Sequence, residues 1–322
     1  MNDPTWNNQC EYSKRISQAI DFITRHLANS PTVEEIAESA NFSRFHFQRM
    51  FKAMLGESVA EFTRRIRLET AARRLWFNEG DDVTRIAMDL GFSSSQNFAK
   101  AFKKHFAISA TDFRANKWDR LRELDGNSTN GNMASLRAVV LSGEDHVDPS
   151  RLLTESDPKD FGDKVKVTHM DPFNVVYLRH FGSYNDKAIE IAYRRLERFA
   201  EPQGLNQPDR YVGIPWDDPY VTPDDKCRFD ACLIVDDSTQ VEPDMSRLEV
   251  PAARYAVYQC QVENNDFDQP WNELLRDWLP QSGFQPDDGY RFEWYLSNGM
   301  DHPHPHPNGN WELKLCLPVK RL

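Results

Sequence analysis

Ile36-Ala37-x-x-x-Asn41-Phe42-Ser43 returns as Ile86-Ala87-x-x-x-Gly91-Phe92-Ser93, and a Phe-x-x-x-Phe-Lys run follows each copy, Phe47–Phe51–Lys52 and Phe98–Phe102–Lys103. The offset is 50 positions from 36 to 86 and 51 from 47 to 98, a one-residue slip in the turn. A repeat that keeps helical spacing, a turn and a second helix is a duplicated supersecondary unit. The unit looks like a helix-turn-helix, so the chain is expected to carry two DNA-reading heads.

Ile16, Ile20, Ile23 and Leu27 recur at helical spacing and predict an amphipathic first helix over about 12–28. Thr32 with Glu35 is a capping box for a short second helix ending near Ala40. Asn41-Phe42 makes the turn, and Ser43 is expected to cap a helix to Leu55. Phe47, Met50 and Phe51 form its inward stripe, which leaves Arg44, Phe45, Gln48, Arg49 and Lys52 outward. Gly56 breaks that helix, and Ser58 with Glu61 caps a long one to Phe77. Phe62, Ile66, Ala71 and Leu75 line its core face, with Arg64, Arg65, Arg67, Arg73 and Arg74 on the remainder. At about 1.5 Å per residue, roughly twenty residues span about 30 Å. That is close to the roughly 34 Å between successive major grooves on one side of DNA.

The second unit starts at Asp82, turns at Gly91 and reopens at the 93–95 serine cluster, with a helix to about Phe106. Phe98, Ala101, Phe102 and Phe106 face inward; Ser95, Gln96, Asn97, Lys100 and Lys104 are outward candidates. Ser109 and Asp112 open a short closing helix. Gln and Asn can pair bidentately with adenine and Arg with guanine, while Ser and Lys hold phosphates. One polar residue on a helix face is ordinarily only solvated. The same face repeated one DNA turn away is read here as a recognition surface.

These motifs resemble the DNA-binding region of the AraC/XylS family of transcription regulators over about 12–117. The likeness rests on Ile36-Ala37, Phe42-Ser43, Phe51-Lys52, Gly56-x-Ser58, Arg67-x-x-x-Ala71-x-x-x-Leu75, Ile86-Ala87, Gly91-Phe92 and Phe98-x-x-x-Phe102-Lys103. The family's usual Gly and Pro near the last helix are Ala107 and Ala110 here, which is expected to weaken the closing helix slightly. Asn41 replaces a turn Gly and tolerates the left-handed conformation.

Net charge is −11, yet it is unevenly spread: residues 1–120 carry 18 Lys+Arg against 15 Asp+Glu, and the rest 21 against 35. A basic first third on an acidic body suits a DNA-binding domain joined to another with a different task. Five scattered cysteines without metal-ligand spacing read as reduced thiols. With a polar beginning and no apolar run of transmembrane length, a soluble cytoplasmic protein is expected, with no membrane partner.

The division expected is 1–120 for DNA binding, 121–162 as linker and 163–322 as an effector domain. Residues 124–132 are polar and rich in Gly, Asn and Ser. For 133–162, linker and an extra strand both remain open. From 164 on, strands are predicted over 164–167, 174–181, 229–235, 254–260, 290–296 and 311–318, with helices over 188–199 and 270–279. A strand, polar loop and helix occur twice, so two α+β halves are expected to meet in a cleft on a pseudo-twofold axis.

This second region resembles the GyrI-like small-molecule-binding domain, also found in multidrug-sensing regulators. The likeness rests on Arg179-His180-Phe181-Gly182-Ser183-Tyr184, Gly213 with Asp218-Pro219, Tyr255-Ala256-Val257, Phe292-Glu293-x-Tyr295 and the ending Leu317-Pro318-Val319. It departs at Val262-Glu263-Asn264-Asn265, where the family often has Gly and Tyr. Alternation puts Phe292, Trp294 and Leu296 on a face expected to pack under helices, and Arg291, Glu293 and Tyr295 on a face toward the cleft. The resemblance implies that Glu293 is the buried acid attracting cationic, aromatic ligands. Tyr184, Tyr211, Trp216, Tyr220, Tyr258 and Tyr295 are candidate walls; each is equally the kind of residue that fills a core, and Glu293 equally the kind that pairs with Arg.

The 302–307 His-Pro alternation is expected to be a solvent loop, because alternating prolines keep the histidines from converging on a metal. No cofactor is expected, and no nucleotide-binding or nucleophile-elbow motif occurs in the chain. The expectation is thus an all-α double helix-turn-helix of about seven helices followed by an α+β effector domain. Its partners would be promoter DNA, a small effector and RNA polymerase. Two alternatives stay open for the second domain: hydrolysis of reactive small molecules by Glu293 and Tyr295, and ligand-free binding of a protein partner.

Overall fold

The computed structural model describes residues 4–78, 80–115, 161, 164–219, 221–296 and 310–322. They form two compact units, one helical and one built on a sheet. Tyr220, the 302–307 His-Pro run and, apart from Phe161, the expected linker lie outside the described residues. No described helix is long and apolar enough to cross a membrane.

The helical unit runs α1 (Pro4–Arg25), α2 (Val33–Ser39), α3 (Arg44–Leu55), α4 (Val59–Phe77), α5 (Val83–Asp89), α6 (Ser95–Phe106) and α7 (Ala110–Ala115). Its boundaries follow local chemistry. Both capping boxes form: Thr32 accepts from Glu35 N and Ser58 from Glu61 N, each with the reciprocal glutamate bond. Asp82 caps α5, and Ser94 rather than a neighbour caps α6. Ser43 occupies the N-cap of α3 in extended conformation but makes no side-chain cap bond. The turns need left-handed residues, and Asn41 (φ 54°) and Gly91 (φ 76°) supply them.

Phe47, Phe51 and Phe62 stack edge to face in the first half, as do Phe102 and Phe113 in the second, all buried. Two expectations are corrected. Met50 is only half-buried, unlike the fully buried Phe47 and Phe51. Only Arg64 of the five α4 arginines is exposed. Arg65 is buried between Glu57 (2.7 Å) and Glu69 (3.1 Å), and Arg74 pairs with Asp89. The reason is that α4 is packed by α1 and α3 on one side and by α5, α6 and α7 on another, which leaves little free face.

The second unit runs β1 (Val165–Met170), β2 (Phe173–Phe181), α8 (Lys187–Ala200), β3 (Tyr211–Pro215), β4 (Arg228–Val235), β5 (Ser246–Val250) and β6 (Ala253–Val262). Then follow α9 (Asp268–Asn272, continued by a π-helical turn over Glu273–Trp278), β7 (Phe284–Pro286), β8 (Phe292–Tyr295) and β9 (Trp311–Arg321). The strands pair antiparallel in the order β1-β6-β9-β8-β3-β4-β2-β5, with β7 on β9. Outward from the β3–β8 seam the order is β4, β2 on one side and β9, β6 on the other. Thus β2-α8-β3-β4 and β6-α9-β8-β9 are matching halves. Strands β3, β5 and β7 were not anticipated from sequence. β3 is short, contains Gly213 and Pro215, and is buried on both faces, so it has no alternation to read.

Ala107 ends α6 in the left-handed region (φ 61°, ψ 5°), so the strain falls on this C-cap rather than inside the closing helix. An L-residue there costs about 1–2 kcal/mol that glycine avoids. Ala107→Gly should therefore stabilise the helical unit by about 1 kcal/mol, measurable as a higher urea midpoint with an unchanged slope.

Candidate functional sites

The outward residues of α3 and α6 follow directly from their inward phenylalanines. With Phe47 and Phe51 buried, Arg44, Phe45, Gln48, Arg49 and Lys52 are exposed; Phe45 is 78% exposed, unusual for a large apolar side chain. Arg44 is drawn to Glu34 in an exposed ion pair, which salt screens. On α6, Gln96, Asn97, Lys100 and Lys104 are exposed and Ser95 is half-buried. Asn97 Nδ2 donates to Ser93 Oγ (2.7 Å), so a base contact would have to displace a local bond. All nine sequence-predicted residues thus lie on these two helices, Ser95 the least accessible of them.

In the second unit, Glu293 sits on β8 directly opposite Gly213 of β3, at the seam of the two halves. Its Oε1 accepts from Trp271 Nε1 of α9 (3.1 Å) and its Oε2 from Tyr295 Oη (2.8 Å). Tyr295 packs edge-on against Tyr193 of α8, ring centroids 5.7 Å apart. Both helices therefore lie on the Glu293–Tyr295 face, contrary to the expectation that they cover Phe292 and Trp294. Phe292 is covered instead by rings from the sheet's own strands, Phe173 and Tyr255. Because both faces of β8 are buried, alternation alone could not tell which one the helices take.

Burial pushes the Glu293 carboxyl above the ordinary carboxylate range. The Trp271 and Tyr295 bonds and the Arg291 charge oppose the rise, and Asp268 adds to it. The same burial, with the Glu293 charge nearby, holds the Cys260 thiol at about 12. Two other buried acids are neutralised. Asp230 takes Nε and Nη2 of Arg179 at 2.7 Å each, and Asp217 takes Nε (2.8 Å) and Nη2 (2.7 Å) of Arg228. Glu293 has no such cation among the described residues; Arg291 turns to Pro215 O and Asp217 O.

Of the expected aromatic walls, the structure brings Tyr295 to Glu293 and keeps others apart. Trp216 donates to Asp230 Oδ2 (2.7 Å) and packs with the Tyr177–Phe292 cluster, on the opposite face of the sheet. Tyr184 Oη is held by Asp217 and Arg228 backbone carbonyls, Tyr211 Oη by Asn206, and Tyr258 Oη by Glu273 of the π-helical turn. Sequence reasoning gave no site role to Tyr193, Trp271 or Gly213. The first two read as ordinary core-stripe residues of their helices. A Cβ on Gly213 would lie 2.6 Å from Tyr295 Oη and 3.0 Å from Tyr193 Oη, so glycine leaves the room that the two phenols fill.

Comparison with known proteins matches two separate regions of the chain to family models. Residues 36–116 match a helix-turn-helix domain model, and residues 163–320 match the model of the GyrI-like small molecule binding domain. The chain is 33% identical over 138 residues to a DNA gyrase inhibitor of Yersinia enterocolitica, covering 42% of this chain and 87% of that one. It is 31% identical over 99 residues to the regulatory protein SoxS of Salmonella typhimurium, 31% of this chain and 92% of that one. It is also 35% identical over 99 residues to the lactose operon transcription activator of Staphylococcus xylosus, a match that spans 31% of this chain and 35% of the activator. The chain belongs to the AraC/XylS family of DNA-binding transcription regulators. Its second domain is a GyrI-like small-molecule-binding domain.

A raised carboxyl makes a signed prediction. Its contribution to folding stability is fully present below the unfolded value of 4.5 and is lost as pH rises through the folded value. Glu293→Gln keeps an acceptor for Trp271 and removes that loss. The variant should melt higher than the native protein at pH 8, with the gap shrinking toward pH 4.

Proposed function

We propose that the effector is a small cation carrying aromatic or apolar groups, and that Glu293 is its counter-ion. The observation that carries this reading is a buried carboxylate whose two oxygens are held by neutral donors, beside two equally buried acids that each have an arginine. A ligand cation reaching Oε1 would take the place of the Trp271 N–H, and the surrounding Tyr295, Tyr193 and Trp271 rings supply cation–π and stacking contacts. Ligand binding biases promoter binding or RNA polymerase contact by differential affinity for two states of the regulator. On the DNA side, α3 and α6 enter successive major grooves. Arg49 and Gln48 with Phe45 read one half-site, and Gln96, Asn97 and Lys100 the other. Arg44, Ser95 and Lys104 hold phosphates.

A second reading for the same residues is hydrolysis of reactive small molecules. It draws on the 2.8 Å Tyr295–Glu293 bond and on a carboxyl raised toward the range of a general base. Turnover of electrophiles by the full chain, lost in Glu293→Gln, would replace sensor by enzyme.

Two measurements test the proposal. A quaternary ammonium with aromatic substituents should bind at least about tenfold more tightly than its neutral carbon isostere. That preference should vanish in Glu293→Gln and weaken as falling pH protonates the acid; equal binding of cation and isostere rejects the counter-ion role. Arg49→Ala and Lys100→Ala should each weaken specific DNA binding by about 1–3 kcal/mol. Unchanged mobility shifts in both would mean that the recognition faces lie elsewhere.

A further inference from the structure

Each helix that precedes a helix-turn-helix sends one guanidinium to the carbonyl of that unit's turn. Arg15 of α1 donates from Nη1 to Asn41 O (3.2 Å), and Arg67 of α4 donates from Nη1 to Gly91 O (3.2 Å). The two turn residues are equivalents in the repeat, both left-handed. The device is therefore duplicated along with the motif, although the arginines lie outside the segments whose repetition is obvious in sequence.

Arg67 does more than its counterpart. Its Nε and Nη2 both donate to Leu27 O, at 3.1 and 2.6 Å, just past the end of α1. Nη2 also reaches Ser30 Oγ (2.8 Å), which donates in turn to Gly91 O (3.3 Å). The approach is tight: a Cβ on Gly91 would lie 2.7 Å from Leu27 O, 2.8 Å from Ala28 O and 2.8 Å from Arg67 Nη2. The turn of the second unit is thus seated on the loop that closes the first unit's leading helix.

We propose that Arg67 is a positioning residue that sets the distance and rotational phase between α3 and α6, and so the half-site spacing that the protein accepts. α1 packs against α2 and α3, so Leu27 and Ser30 are fixed to the first recognition helix, whereas Gly91 leads straight into α6. The connector α4 has 19 residues and fixes an axial length of about 28 Å. Rotation of the second unit about that axis is opposed by apolar packing and by this directional polar node. A planar guanidinium spans Leu27 O, Ser30 Oγ and Gly91 O at once; an ammonium, as a single point, cannot.

The inference rests on the reading that α3 and α6 occupy successive grooves, and the experiment separates the two. A duplex is selected from a randomised pool with the native full chain, its protected half-sites are mapped, and one base pair is inserted or deleted between them. Each such step rotates one half-site by roughly 35° relative to the other. The native protein should lose about tenfold in affinity per step. Arg67→Ala should lose about threefold or less per step, whatever its affinity for the parent duplex, with Arg67→Lys between. Ser30→Ala removes two bonds of the node from an exposed position and should flatten the profile in the same direction, which keeps the question answerable if Arg67→Ala folds poorly. Lys100→Ala should weaken binding to every spacing by the same factor. Profiles of Arg67→Ala and Ser30→Ala parallel to the native one overturn the proposal. A single protected half-site on the selected duplex overturns the two-groove reading instead.

Discussion

A polar group taken out of water must find a partner, and most of the architecture above follows from how this chain meets that demand. Arginine meets it repeatedly. Arg65 sits between two glutamates inside the helical unit, Arg67 gathers the carbonyls at the junction of the two helix-turn-helix motifs, and Arg179 and Arg228 neutralise aspartates inside the sheet unit. Planarity and several donors let each guanidinium serve more than one acceptor. Against that background Glu293 differs in the kind of partner it has: its two oxygens take an indole N–H and a phenol O–H rather than an arginine.

Each unit is built from two matching halves, and in each the halves differ in the residues at equivalent places. The helix-turn-helix copies share their phenylalanine cores but present Arg44, Phe45, Gln48 and Arg49 on one face and Gln96, Asn97, Lys100 and Lys104 on the other. Asn41 suffices in the open first turn, whereas the packed second turn admits only Gly91. In the sheet unit the matching strands β3 and β8 meet at the seam, but one contributes glycine where the other contributes glutamate. Symmetry builds the frame, and a residue without a side chain makes room for the acid's neighbours.

Much of the helical unit was legible in the chain itself. Capping boxes at Thr32–Glu35 and Ser58–Glu61 are local, and the inward stripe of a helix is set by its period, so α2 to α6 and their outward residues could be read directly. The arginines of α4 could not. Composition marks them as charged and a helical wheel places them outward, but α4 is surrounded, and packing sets what each guanidinium meets: Arg65 is closed in with Glu57 and Glu69, and Arg67 reaches Leu27 O, 40 positions away. The same limit applied to Trp216, whose partner Asp230 belongs to another strand.

For the sheet unit, alternation showed that Phe292 and Glu293 point to opposite sides, because a strand's period is two. It could not show which side the helices cover, since both are buried, nor that Tyr193 and Trp271 close over the acid from two helices. Local sequence determined the elements, their ends and the residues sharing a face, all fixed by interactions a few positions apart. Tertiary structure decided which turn is seated against which helix and which distant charges are paired, because packing brings Arg67 to Gly91 O, 24 positions away, and Arg179 to Asp230, 51 positions away.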